Sequence, residues 1–170
     1  LPEKLELLWE ATLGEQVVAT SVIVGDHVFV PCLSGELVCL MRQTGEKLWS
    51  YQSVEQVEKN SFAPGFKSSP TFTADSIYLG DEDGVFHAID RATGKGRWKY
   101  KTGGEIHSSA AVIDGRVLFG SYDNCLHCLD AASGKMIWKH ETQGYVHCAP
   151  AVVDGIAFIA GCDERLRGIE

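Results

Sequence analysis

The chain is predicted to be an all-β protein of four-stranded antiparallel sheets set around a common centre, as the blades of a β-propeller. Three observations predict this. Tryptophan recurs at Trp9, Trp49, Trp98 and Trp138, at intervals of 40, 49 and 40 residues. Between these marks the same succession of four short apolar runs and turn residues returns, most legibly over Phe66–Trp98 and Ile106–Trp138. Helical periodicity is missing: runs such as Val117-Leu118-Phe119 are too short and too closely punctuated by Gly, Asp and Ser. A period near 40 built from short strands points to propeller blades rather than to a helical solenoid.

Taken in order, Leu5–Thr12 reads as the outer strand of a blade whose other strands are not at this end. The first blade follows over 17–51, with strands near 17–24, 28–33, 36–41 and 47–51. Residues 52–65 are an insertion of about nine residues relative to the other connections, closed by Pro64-Gly65. The second blade spans 67–101 (strands near 67–73, 76–80, 85–90 and 97–101) and the third 106–141 (106–113, 116–121, 125–130 and 136–141). A partial blade over 146–170 has three strands and lacks the outer one that Leu5–Thr12 could supply. Innermost strands carry small residues, Ser68-Ser69-Pro70 and Ser108-Ser109-Ala110 among them, because blades crowd at the axis. The four tryptophans are expected to fasten neighbouring blades. Each buries roughly 150–250 Å², an upper bound of about 4–6 kcal/mol.

The 170 residues suffice for one domain, and 45% hydrophobic with 22% charged residues argues against disorder. A net charge of −8 disfavours nucleic acid and anionic membranes as partners, and no apolar run reaches the roughly 18–20 residues of a membrane span. Six cysteines are too few for a dense disulfide framework and read as small buried apolar residues. The sequence begins at Leu1, so either a leader was removed or the chain was cut from something longer.

At Ala88-Ile89-Asp90-Arg91-Ala92-Thr93-Gly94-Lys95-Gly96-Arg97-Trp98 the sequence resembles the tryptophan-docking pattern A-x-D-x-x-T-G-x-x-x-W of PQQ-like repeats. Cys128-Leu129-Asp130 through Ser133-Gly134 to Trp138 repeats it with Cys for Ala and Ser for Thr. Cys39 through Thr44-Gly45 to Trp49 repeats it with Met41 in the Asp position, and Gly168-Ile169-Glu170 begins a further copy. The resemblance implies the propeller fold. It also implies two kinds of activity, since the family includes dehydrogenases that use pyrroloquinoline quinone and Ca²⁺ and a non-catalytic lipoprotein of the outer-membrane β-barrel assembly machinery. No two cysteines are adjacent, so the vicinal disulfide of the methanol-type enzymes has no counterpart, and their calcium ligands and catalytic Asp match no segment.

In such a fold the blade connections and the second hairpin of each blade share one face. That face brings the insertion together with Asp81-Glu82-Asp83-Gly84, Tyr122-Asp123-Asn124 and Asp163-Glu164-Arg165, while Lys67, His107 and His147 take equivalent places around the axis. Lys67, His107, His147, Asp81 and Asp123 are therefore the candidate binding residues, and no catalytic residue is assigned. Asp81–Gly84 reads as an Asp-Gly hairpin turn and not as a calcium loop. Cys125 and Cys128, three apart on a strand, point to opposite faces, which argues against zinc, and no metal is assigned. His107-Ser108 and His147-Cys148 likewise point apart and make no nucleophile–base pair.

The function expected is a non-enzymatic scaffold presenting its loop face to a protein or peptide partner, without a cofactor. Deleting 55–63 and substituting Lys67, His107 and His147 should weaken partner capture. The alternative is a fragment or remnant of a quinoprotein dehydrogenase, with pyrroloquinoline quinone and Ca²⁺. Three closures stay open: a segment of a longer propeller, a four-bladed ring completed by Leu5–Thr12, or a homodimer in which two chains exchange that strand. An extracytoplasmic, periplasmic location follows from the resemblance alone.

Overall fold

Turn residues with positive φ cut the chain into pieces too short for anything but strands. Gly25, Gly35, Gly45, Gly84, Gly94, Gly115, Gly134 and Gly155 all lie in that region, as do Asp114, Asn124, Asp154 and Glu164. The computed structural model describes residues 4, 6–56 and 61–170, and these contain fifteen strands in four antiparallel meanders. The first sheet is β1 (Val22–Val24), β2 (His27–Pro31), β3 (Glu36–Met41) and β4 (Lys47–Gln52). The second is β5 (Thr71–Phe72), β6 (Ser76–Gly80), β7 (Val85–Asp90) and β8 (Gly96–Lys101). The third is β9 (Ala111–Ile113), β10 (Arg116–Gly120), β11 (Cys125–Asp130) and β12 (Met136–Glu141). The last has three strands, β13 (Ala151–Val153), β14 (Ile156–Ala160) and β15 (Leu166–Ile169). No helix among the described residues is long and apolar enough to cross a membrane.

Both faces of the middle strands are apolar, so successive sheets stack face to face. Phe29, Leu37 and Cys39 of the first sheet pack on Ile77, Leu79 and Ile89 of the second. Tyr78, Phe86 and Ala88 pack on Val117, Phe119 and Leu129 of the third, with the Phe86 and Phe119 rings stacked at 3.8 Å. Leu118, Leu126 and Cys128 then meet Ala157 and Ile159 of the last sheet. Four of the six cysteines lie in this core, and Cys148 and Cys162 are exposed.

The innermost strands are shorter than expected, two or three residues each. Their small polar residues serve a second bonding partner, the neighbouring blade. The Ser69 hydroxyl accepts from the Thr20 N–H at 3.0 Å, and the Ser109 hydroxyl accepts from the Ser69 N–H at 3.1 Å. The Ser108 hydroxyl donates to the Cys148 carbonyl at 2.9 Å. These hydroxyls tie the sheets together where a larger residue would push them apart.

The tryptophans fasten the outer rim. Three of the four indoles lie on a turn glycine of the sheet that follows them: Trp9 on Gly45, Trp49 on Gly94 and Trp98 on Gly134. A Cβ at Gly94, where φ is +72°, would sit 2.6 Å from the Trp49 ring. The turn is held by Asp90, whose carboxylate accepts from the Thr93 N–H at 2.9 Å and the Thr93 hydroxyl at 2.8 Å. In the first sheet Met41 stands at that position, and Asp26 instead accepts from Arg42 and Gln43. Trp98 donates to the Ala131 carbonyl at 3.1 Å. Trp138 lines an open cleft with Ile113, Arg116 and Ile169, and has no hydrogen-bond partner among the described residues.

The predicted outer strand at Leu5–Thr12 is not formed over residues 6–12; Leu5 lies outside the described residues. The segment sits on the first sheet instead. Trp9 donates to the Arg42 carbonyl at 2.8 Å, and Ala11 and Leu13 cover Val30, Val38 and Leu40. Among the described residues β15 pairs with β14 alone, and on the far side of the last sheet Val153 is 55% and Leu166 76% exposed.

Candidate functional site

Backbone bonds build one face of the arc with the same stitch in every repeat. Each connection bonds the second hairpin of the blade that follows it: Leu33 N–H to Gln16 carbonyl, Glu82 to Gly65, Tyr122 to Glu105 and Cys162 to Tyr145, all between 2.9 and 3.0 Å. Repeating the stitch sets side chains from three connections and two hairpins side by side. The insertion borders the same face, where Phe62, 96% exposed, Ala63 and Glu82 line a cleft of about 700 Å³. Residues 57–60 of the insertion lie outside the described residues.

The candidate residues divide into two groups. Lys67 Nζ is 2.5 Å from Glu82 Oε1, and Glu82 Oε2 accepts from the Gly65 N–H. Partial burial pushes the Glu82 carboxyl up, yet the Lys67 and Gly65 bonds outweigh it and hold the group below its ordinary value. The same bond to Glu82 raises Lys67, with the Glu82 and Glu105 charges adding to it. His107 Nε2 is 2.7 Å from Glu105 Oε2, and its Nδ1 is 3.1 Å from the Tyr122 hydroxyl. Tyr122 stacks on Tyr145 at 4.7 Å with the rings 4° from parallel. Lys67, Glu82, Glu105, His107, Tyr122 and Tyr145 thus form a continuous patch of paired charges and aromatic rings. His147 is exposed and joins it through no bond; its Nε2 is 3.9 Å from the Cys148 sulfur.

Asp81 and Asp123 belong elsewhere. Asp81 is 1% exposed, and its Oδ2 is 2.8 Å from His87 Nε2, while His87 Nδ1 meets the Tyr51 hydroxyl of the preceding blade at 3.0 Å. Asp123 repeats the arrangement with His127 Nε2 at 3.0 Å, and His127 Nδ1 faces the Tyr100 hydroxyl at 3.3 Å. These carboxylates brace histidines in the seams between blades. In the last blade Arg167 takes the place of the histidine, on Asp163. The hairpin at Asp81–Gly84 closes as a tight turn, the Gly84 N–H donating to the Asp81 carbonyl at 3.1 Å.

Burial lowers His87 despite the neighbouring carboxylate, with the Lys99 charge assisting. The folded chain therefore takes up this proton at lower pH than the unfolded chain. The contribution of neutral His87 is whole above the unfolded value near 6.5 and is lost as pH falls below it. The unfolding free energy of the wild type, from urea titrations, should fall as pH drops below about 6.5, by up to about 1.4 kcal/mol per pH unit for this one group. His87→Gln, which keeps a donor for Asp81, should remove that share of the slope; an unchanged slope would contradict the assignment.

Cys125 and Cys128 do face apart, Cys128 toward the last sheet and Cys125 toward the second, so they share no metal. Ser108 donates to backbone carbonyls while both nitrogens of His107 are occupied by Glu105 and Tyr122, so the two make no nucleophilic pair. The sequence placed Tyr122 on this face without naming it among the binding residues, and Glu105 and Tyr145 were missed, although aligning the repeats places Tyr122 on Glu82 and Glu105 on Tyr145. It also missed the convergence of Asp123, Cys125 and His127, whose ligand atoms lie within 4.8 Å of one another.

Four meanders stacked around a centre, stitched at the rim by indole on glycine, define a β-propeller of PQQ-type repeats. The family model described as outer membrane protein assembly factor BamB matches residues 4–111 and 101–170, and the chain belongs to that family. Among solved structures, BamB from Moraxella catarrhalis is 22% identical with a TM-score of 0.79, covering 95% of this chain and 49% of its own. The chain thus spans about half the length of that protein. The computationally designed Ika4 protein is 17% identical with a TM-score of 0.80, and 98% of both chains is covered. The designed Ika8 protein, also 17% identical, has a TM-score of 0.73 over 89% of this chain and 45% of its own. Comparison with curated proteins gave no match.

Proposed function

We propose that the protein is a non-enzymatic scaffold that presents its loop face to a protein or peptide partner outside the cytoplasm. The observation that carries this is the patch at the blade connections, where the Tyr122–Tyr145 stack adjoins His107–Glu105 and Lys67–Glu82. Tyr145 is half exposed, and rigid aromatic surface beside charges already paired is the composition of an interface centre. The family's description as an outer-membrane protein assembly factor supports a protein partner and an extracytoplasmic location. No quinone or calcium belongs to the proposal. The clustered ligand atoms among the described residues include a thiol and an imidazole in a blade seam, a poor fit to the oxygen ligands calcium requires.

A photo-crosslinking phenylalanine analogue placed at Tyr145 should yield a discrete adduct in cells, while the same probe at Met136 on the outer rim should not. Tyr145→Ala should weaken capture of that adduct's partner by about 2 kcal/mol, roughly thirtyfold. Equal crosslinking at both positions would remove the loop face from consideration. Dye reduction on adding pyrroloquinoline quinone and Ca²⁺ would overturn the non-enzymatic reading.

A further inference from the structure

We propose that Asp123, Cys125 and His127 form a site for a divalent transition-metal ion, zinc above all, in the seam between the second and third blades. Cys125 and His127 are two apart on β11 and so share the strand face that meets the second blade. Asn124, at φ 67°, turns the chain back over that face, and the Cys125 N–H donates to Asp123 Oδ1 at 3.1 Å. The carboxylate is thereby brought over the imidazole, with His127 Nε2 at 3.2 and 3.0 Å from its two oxygens. Around a tetrahedral ion with bonds of about 2.0 Å, nitrogen and oxygen ligands lie about 3.3 Å apart, so this pair needs to open only slightly. The Cys125 sulfur, now 3.6 Å from the Asp123 carbonyl, completes a set whose members all lie within 4.8 Å of one another.

The surroundings suit an ion as well. Cys125 is 5% and His127 2% exposed, while the Asp123 side chain keeps 16%, so solvent reaches the set on the Asp123 side, and three protein ligands leave a fourth tetrahedral position to water. With the metal on Nε2, the imidazole proton sits on Nδ1 and points at the Tyr100 hydroxyl, 3.3 Å away in the preceding blade. The Gly103 N–H holds Asp123 Oδ2 at 3.2 Å. Thiolate, imidazole and carboxylate together favour zinc over calcium or magnesium. Lys139 stands opposite His127 in the ladder and opposes a cation, but Glu141 stands opposite Cys125 and offsets it. The repeat supplies an internal control. The second blade braces His87 with Asp81 but has Val85 where the third has Cys125, and the last blade has Arg165 and Arg167. A histidine–carboxylate brace needs no thiol, and the third blade alone adds one.

The test uses the full chain with Cys148→Ser and Cys162→Ser, which removes the exposed thiols. Zinc chloride titrated against a chromophoric chelator should bind at one ion per chain. X-ray absorption of the zinc form should show one sulfur at about 2.3 Å among nitrogen and oxygen at about 2.0 Å. Co²⁺ should give a sulfur-to-metal charge-transfer band that Cys125→Ser abolishes, with zinc affinity reduced at least about tenfold. Absence of a sulfur scatterer, or undiminished binding in Cys125→Ser, would overturn the site. X-ray absorption needs no further substitution, so it decides the matter even where Cys125→Ser does not fold.

Discussion

Gly120→Ala is expected to destabilise the fold by at least about 3 kcal/mol, read as the urea midpoint. A Cβ on Gly120 would lie 2.2 Å from the Val146 carbonyl oxygen and 2.5 Å from Val146 Cγ1. The carbonyl belongs to backbone docked in the same seam, where the Val146 N–H donates to the Ser121 carbonyl at 3.1 Å. The same seam holds Val146 at 0% exposure against Leu118 and Leu126, so relief at Gly120 means separating the third and last sheets. Gly115→Ala is the comparison. Its φ is +71°, but nothing lies within 4 Å of the added methyl, so it should cost about 1–2 kcal/mol from backbone strain alone. Equal costs at the two positions would show that the sheets do not approach as closely as described.

Trp98→Ala should cost about 3 kcal/mol and lower the melting temperature by about 6–12 °C. The indole crosses the seam to lie on Gly134 and donate to the Ala131 carbonyl, and it packs against Tyr78 and Phe86 of its own sheet. Trp138→Ala should cost about half as much, since that indole makes neither the glycine contact nor the hydrogen bond and lines an open cleft. Thermal melts of the two variants side by side check the expectation. Equal losses would mean that the indoles act by their own burial and not by docking on the next turn.

The architecture was legible because its signals are local and periodic. Trp49, Trp98 and Trp138 each mark an outer strand, and the Asp90–Thr93 turn carries its own hydrogen bonds. Alternation along β11 likewise separates Cys125 from Cys128. The site was less legible because it depends on how hairpins fold back. Nothing in the period of the sequence shows that Asp81 turns inward to His87, or that Asp123 closes over His127. Asp81 occupies the register of Ser121 and Asp123 that of Asp83, so the two carboxylates reach equivalent histidines from different positions. The strand expected at Leu5–Thr12 is absent over residues 6–12 for a similar reason. Trp9 finds its turn at Gly45 whether or not the residues around it pair with another strand.

The hydroxyl ties of the innermost strands run from Thr20 to Ser69, from Ser69 to Ser109 and from Ser108 to Cys148. They make a chain of couplings in series, each sheet linked only to its neighbours near the axis as at the rim. Stability in such an arrangement is a sum of nearest-neighbour terms, so position along the arc sets the cost of a lost link. Weakening the middle seam, where Thr71 also donates to the Ala110 carbonyl, loosens one pair of blades from the other, whereas weakening the last loosens a single three-stranded sheet.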